Sequence, residues 1–347
     1  MKKSDSRRLT IKDLAKELNL SSSTISRVLS NNPRISEATK KLVNDKVKEL
    51  GFSLDPIASS FRSKKTKSIG VVAPRIDVDF HSKVISGIED YASELGYQIT
   101  IFQSKDSYLK EKEILKLLET SMAAGIIICP SLETQKVDHL KKVIKSNIPL
   151  VLYDRPIDNL DTNIVCINDY QASYNATKHL INTGCKRIAH ISGNLNVNIF
   201  KKRFEGYRSA LFDNDLQFED DLLYQTHNLS YHEGLVAAEK LSKLIIPIDG
   251  IVCANDYTAS AAVQLFKKLN IAIPEQVSII GFSNYPISTI IEPNISTIDD
   301  NAYDMGNISA KILIQQIEDK YQKKIDYQEI LVKTDLIIRD STKNLKK

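Results

Sequence analysis

The 347-residue chain has no tryptophan and only four cysteines, three methionines, 12 glycines and 10 prolines. So little glycine and proline excludes a collagen-like or low-complexity chain, and so few cysteines exclude a disulfide scaffold. Cys129, Cys166, Cys185 and Cys253 lie far apart, in no C-x-x-C and no Cys/His cluster. Buried free thiols are expected, with no structural zinc. Long hydrophobic runs are missing as well. Stretches such as Gly125-Ile-Ile-Ile-Cys129 fall far below the roughly 20 residues of a membrane span. No basic, apolar and small-residue leader follows Met1. The expected compartment is the cytoplasm, without a membrane partner. Also absent are a G-x-S-x-G elbow, a Walker loop, G-x-G-x-x-G and H-E-x-x-H. Neither an enzyme, a cofactor nor a catalytic metal is expected.

The chain does have charge, distributed unevenly. Residues 1–67 carry 16 Lys and Arg against 7 Asp and Glu, whereas the remaining 280 carry 31 against 36. A small basic head on a large, slightly acidic body points to a polyanion partner for the head. With 42% hydrophobic residues, this length can bury two or three cores.

Positions 10–50 predict three short helices. Thr10 with Asp13 resembles a capping box, and Ile11, Leu14, Ala15 and Leu18 follow at helical spacing. Ser21 caps a second helix, Ser22 to Leu29, with Ile25, Val28 and Leu29 inward. Ser36 caps a third, with Leu42, Val43, Val47 and Leu50 on one face and Gly51 as its stop. Two helices joined by a short turn describe either a helix-turn-helix or a plain three-helix domain with a solvated basic face. The polar face of the second helix favours the former. Ser22, Ser23, Ser26 and Arg27 project outward once Ile25 and Val28 are buried, and short hydroxyls beside an Arg suit phosphates and base edges. Thr10 and Ser21 stand at helix N-termini, where backbone N–H groups favour phosphate. Asn31, in the loop after the second helix, completes the DNA-facing set.

Thr10-Ile-Lys-Asp-Leu-Ala15, Ser23-Thr-Ile-Ser-Arg-Val-Leu29, Pro33-Arg-Ile-Ser-Glu37 and Glu49-Leu-Gly-Phe52 closely resemble the start of lactose/galactose-repressor-family regulators. The resemblance implies a homodimer reading a pseudo-palindromic double-stranded operator. For residues 53–67 it implies a hinge that folds on DNA. There Ala58 and Phe61 would face the minor groove, with Phe61 as an apolar wedge in place of the family's usual Leu. A plain linker is the alternative, and Leu54 stands where the family has Pro.

From residue 68, short β-rich runs alternate with amphipathic helices, the pattern of an α/β fold. Strands are predicted at 68–73, 98–103, 125–129, 149–153, 187–192, 250–254 and 278–282. Helices are predicted at 82–95, 110–120 and 203–213. Related segments recur: the run from Lys67 pairs with that from Lys186, Gly125 with Gly250, and Leu150 with Ser278. Two doubly wound lobes follow, with the ligand cleft beyond their strand ends. The predicted fold is therefore a small all-α helix-turn-helix head plus a periplasmic-binding-protein-like α/β body of two doubly wound parallel-sheet lobes. Its divisions are a head at 1–52, a hinge at 53–67, an effector-binding and dimerisation body at 68–341 and a tail at 342–347. Lobe 1 takes about 68–165 plus 296–325, and lobe 2 about 166–295 plus 326–341.

Its strand-end position puts Asp154 in the expected cleft, and the resemblance implies Phe80 and His81 after the first strand, Arg203 and Asp256 there as well. One guanidinium fork plus carboxylates suits a polyhydroxylated ligand. Each has a plainer alternative: a helix cap for Asp154 and Asp256, a surface histidine for His81, and a surface ion pair for Arg203. Leu229 stands where many relatives carry a stacking aromatic, with Asn198 or Tyr231 as substitutes. Val197 and Ile199 disfavour a nucleobase ligand. No leucine heptad closes the chain, so a dimer is expected and not a tetramer. The resulting expectation is a sequence-specific DNA-binding transcriptional repressor controlled by a sugar or sugar derivative. A solute-binding sensor without a DNA role is the alternative.

Overall fold

The computed structural model describes residues 10–29, 32–50, 52, 67–319 and 327–344. Asn31, Ala58, Phe61 and all of the proposed hinge but Lys67 lie outside the described residues. The chain forms two compact units, Met1–Thr66 and Lys67–Lys347.

In the first unit, α1 (Ile11–Glu17), α2 (Ser22–Leu29) and α3 (Glu37–Glu49) enclose a small core. The predicted capping box is present: the Asp13 N–H donates to Thr10 Oγ1, and the Thr10 N–H donates to Asp13 Oδ2 at 2.9 Å. Asn19, at φ 54°, turns the chain between α1 and α2 in a left-handed conformation that Asn tolerates. Leu14, Ala15, Ile25, Val28, Val43 and Phe52 form the buried centre. Leu42 departs from expectation and is 52% exposed. Val43, Val47 and Leu50 repeat at i, i+4 and i+7, leaving Leu42 at the edge of their stripe.

The body contains two six-stranded sheets. The first uses β1 (Ser68–Ala73), β2 (Gln98–Gln103), β3 (Gly125–Ile128), β4 (Leu150–Tyr153), β5 (Asn163–Ile167) and β11 (Glu329–Val332), in the order β11-β5-β4-β3-β1-β2. All neighbouring pairs are parallel. The second uses β6 (Ile188–Ser192), β7 (Leu223–Gln225), β8 (Gly250–Cys253), β9 (Ser278–Phe282), β10 (Ser296–Asp299) and β12 (Asp335–Ile337), in the order β12-β10-β9-β8-β6-β7. Only β12 runs antiparallel. Helices cover both faces of these sheets, so central strands such as β3 are apolar along their length and fully buried. Each such isoleucine contributes about 1.5–3 kcal/mol by leaving water.

The chain crosses between lobes at 167–169, 299–302 and 332–335, so two boundaries fall later than predicted. β10 pairs with β9 and thus belongs to lobe 2, while β11 pairs with β5 and belongs to lobe 1. These pairings join segments distant in sequence, which local patterning does not encode. In lobe 1, α4 (Asp79–Glu94) packs against α12 (Ala302–Glu318). Their contact depends on Gly87 and Gly306, where an added Cβ would strike the carbonyl oxygens of Tyr303 and Val84.

All three helices predicted in the body begin earlier than expected, the one predicted at 110–120 by two residues, at Tyr108. α4 starts at Asp79 and α8 spans Asn198–Phe212, after Val78 and Val197, neither of which makes a side-chain cap. Phe80 and His81 therefore sit in the first turn of a helix and not in a loop. All four cysteines are buried and free. Among the described residues, no helix is long and apolar enough to cross a membrane.

Candidate functional site

The head presents a polar face. Ile25 and Val28 point into the core, while Ser23 and Arg27 are exposed and Ser22 and Ser26 are partly exposed. Ser22 with Ser26, and Ser23 with Arg27, are one helical turn apart and share one side of α2. Ser21 is occupied locally: its hydroxyl accepts the Thr24 N–H at 3.1 Å and lies 2.8 Å from the hydroxyls of Ser23 and Thr24. Thr10 is likewise held by Asp13, to which its hydroxyl donates at 2.6 Å. The first-turn carboxylate of Asp13 already complements the N-terminus of α1.

Between the lobes, a cleft of about 620 Å³ opens at the carboxyl ends of the strands. This lies within the roughly 300–1,000 Å³ of small-molecule sites. Arg75, Phe80 and His81 line it beyond β1, and Asp154 and Arg155 beyond β4. From lobe 2 come Ile199, Phe200 and Arg203 on α8, Ala254 and Asn255 beyond β8, Ser283 and Tyr285 beyond β9, and Asp300 beyond β10. The cleft thus brings together four of the five expected residues: Phe80, His81, Asp154 and Arg203.

Arg203 is buried and fixed from three sides. Its Nε donates to Asp169 Oδ1 at 2.6 Å, its Nη1 donates to the Ala254 carbonyl at 2.9 Å, and its plane lies 3.6 Å over the Phe282 ring. Its Nη2, which carries two further N–H donors, makes no hydrogen bond among the described residues. Its ion pair, with Asp169, is buried, and so is not the surface pair named as the plainer alternative. Asp154 adopts a left-handed backbone, φ 66°, at the end of β4, and burial raises its carboxyl above the usual range. His81 accepts or donates at 3.2 Å to the Tyr153 hydroxyl. Burial first, then the nearby Arg155 and Arg75, push its pKa down to about 3, so it is neutral at pH 7.

Asp256 departs from expectation. It is 0% exposed and does not line the cleft. One carboxylate oxygen accepts the Tyr285 N–H at 2.7 Å, and the other accepts the Thr297 hydroxyl at 2.8 Å. Asp256 opens α10 (Asp256–Lys268) with its side chain turned inward, so it joins β9, β10 and α10 and does not line the cleft. Its neighbour Asn255 is the cleft residue; Asn255 caps α10 at Thr258 N and donates to the Leu229 carbonyl at 2.9 Å.

The acid that the sequence reading missed is Asp300, buried at the end of β10 and within the cleft. Burial pushes it up to about 7, against the Ser283 hydroxyl and the Arg203 guanidinium. Its signal was the acidic pair closing Ser296-Thr-Ile-Asp-Asp300, a strand end like that of Asp154. Where a stacking ring was missed, Leu229 packs with Ile199, Phe200 and Leu132 into an apolar wall. Tyr231 lines the cleft, whereas Asn198 lines a separate cavity behind it.

Residues 10–54 match the family of bacterial regulatory proteins, lacI family, and residues 66–339 match periplasmic binding proteins and sugar binding domain of LacI family. The chain is 30% identical to the HTH-type transcriptional regulator RegA of Clostridium saccharobutylicum, over 96% of this chain and 99% of that protein. It shares the fold of the Lac repressor dimer bound to operator and the anti-inducer ONPF, with TM-score 0.85 over 97% and 99% of the two chains at 21% identity. A LacI family transcriptional regulator from Enterococcus faecium with bound ribose matches at 25% identity and TM-score 0.70, over 80% of this chain and 100% of that one. Since these matches run from the head through nearly the whole body, the chain belongs to the LacI family of bacterial regulatory proteins.

Proposed function

We propose that this protein is a DNA-binding transcriptional regulator, a repressor, whose operator affinity is set by an uncharged sugar or sugar derivative held between the lobes. The observation that carries this reading is the joining in one chain of two parts: a helix-turn-helix with an outward Ser and Arg face, and a cleft in which Arg203, Asp154 and Asp300 converge. Carboxylates accept from sugar hydroxyls and a guanidinium donates to them, so both halves of each hydroxyl are served. Phe80 and the wall of Ile199, Phe200 and Leu229 supply apolar contact for the faces of a ring.

Two copies of the chain would read a pseudo-palindrome, as in the dimer-operator complex of the Lac repressor. The ligand would act through the lobes. The Tyr257 hydroxyl on α10 donates to Asp79 Oδ2 on α4 at 2.8 Å, and Lys83 Nζ donates to the Asn284 carbonyl at 3.1 Å. Each bond joins lobe 2 to lobe 1, so a ligand that changes the lobe angle must remake them. A coupling of about 1–3 kcal/mol suffices for a roughly 5–150-fold change in operator affinity. The protein works by binding and not by catalysis, and chromosomal DNA as its partner puts it in the cytoplasm.

The test is fluorescence anisotropy with the full chain and labelled DNA from upstream of its own gene and its neighbours. Specific binding should weaken steeply between 50 and 200 mM salt, as phosphate contacts require, and should change on addition of a neutral sugar. Equal binding to unrelated DNA, unaffected by salt, would overturn the reading.

A further inference from the structure

Three guanidinium groups and the Lys105 ammonium line the cleft, and each guanidinium already faces a carboxylate: Arg75 with Asp77, Arg155 with Asp106, and Arg203 with Asp169, all at 2.6 Å. Two buried carboxylates are left over. Asp154 reaches Arg155 only at 3.7 Å. Asp300 is 2% exposed, forms no ion pair among the described residues, and keeps a buried Oδ1 without a hydrogen-bond partner. The groups acting on it are the Ser283 hydroxyl beyond β9, Arg203 on α8, Asp154 from the opposite lobe and the adjacent Asp299. The one cation among them is already bound to Asp169. The deep cleft therefore holds an unsatisfied acceptor with a second carboxylate, Asp154, acting on it, and a ligand entering it meets both.

We propose that Asp300 is a specificity-determining residue: its carboxylate accepts a hydrogen bond from an uncharged ligand hydroxyl and, with Asp154, excludes phosphorylated and carboxylated sugars. This rests on the reading of the cleft as the ligand site. A phosphate would place further negative charge beside Asp154 and Asp300, whose nearest guanidinium, Arg203, is already shared with Asp169. A hydroxyl supplies the missing donor at no charge cost. Discrimination of this kind is strong because the wrong ligand leaves a buried polar group unpaired.

Full-length wild type, Asp300→Asn and Phe80→Ala are titrated with D-ribose, D-glucose, cellobiose, D-ribose 5-phosphate and D-glucose 6-phosphate, by calorimetry and thermal shift. A neutral sugar should bind, its phosphate should bind at least about tenfold more weakly, and both variants should lose about tenfold or more. Without ligand, Asp300→Asn should melt about 2–4 °C above wild type at pH 8, with a smaller gain at pH 5, where Asp300 is mostly protonated. A phosphate preferred over its parent sugar overturns the proposal, as does an Asp300→Asn variant that melts lower at pH 8. If Phe80→Ala weakens a sugar and Asp300→Asn does not, the role of Asp300 fails alone. If neither variant weakens it, the cleft itself is not the site. Should none of the five sugars bind, the proposal is overturned, whatever the ligand-free melting comparison shows.

Discussion

Two strand ends in the same sheet, those of β8 and β10, each lead to a buried aspartate, and the two acids differ in what surrounds them. Asp256 opens a helix, and both its oxygens accept hydrogen bonds from the neighbouring strands and loop. Asp300 opens nothing, since α12 begins two residues later after Asn301, and its Oδ1 has no partner among the described residues. Burial raises both carboxyls to about 7, so titration does not tell them apart. Hydrogen-bond satisfaction does. A strand-end acid whose lone pairs are filled is part of the scaffold, and one with an open acceptor in a cleft is available to a ligand.

Substitutions can break this contrast or sharpen it. The largest effect is expected from Asp256→Ala, which strands the Tyr285 N–H and Thr297 hydroxyl and should cost about 3–5 kcal/mol in urea denaturation. Smaller, at about 1–3 kcal/mol, is Gly281→Ala, whose new Cβ would collide with Asp256 Oδ1. A Gly281→Ala protein as stable as wild type would show that the Asp256 carboxylate moves freely, against the scaffold role. The head repeats the contrast on α2. Arg27→Ala should act mainly on DNA recognition, relaxing preference at one guanine by about 1–3 kcal/mol in competition binding. Ser21→Ala should do the reverse, removing about 1 kcal/mol of helix capping with no change in base preference.

The same contrast explains how far the sequence could be read. Strands 68–73, 98–103 and 278–282 match residue for residue, because β-branched runs between helical stretches are a local signal. The cleft positions of Asp154, Arg203, Phe80 and His81 were legible through strand ends and the family resemblance. Asp256 was misread because a residue type at a strand end does not reveal which way its side chain turns. That depends on Tyr285 and Thr297, 29 and 41 residues away. Asp300 was passed over because the lobe crossing was drawn before β10 and not after it. The early starts of α4 and α8 were hidden because Val78 and Val197 carry no capping side chain.

Asp300 also fixes a sign. Its folded pKa of about 7 lies above the ordinary aspartate value of 3.8, so the folded protein binds the proton more tightly than the unfolded chain. Its burial penalty is absent below about pH 4, grows as pH rises towards 7 and is constant above. The most direct measurement of the contrast is the melting temperature of Asp256→Ala and Asp300→Ala, side by side with wild type at pH 8 and without ligand. The two should move in opposite directions, Asp256→Ala down and Asp300→Ala up. A fall in both would make Asp300 a second scaffold acid and contradict the account.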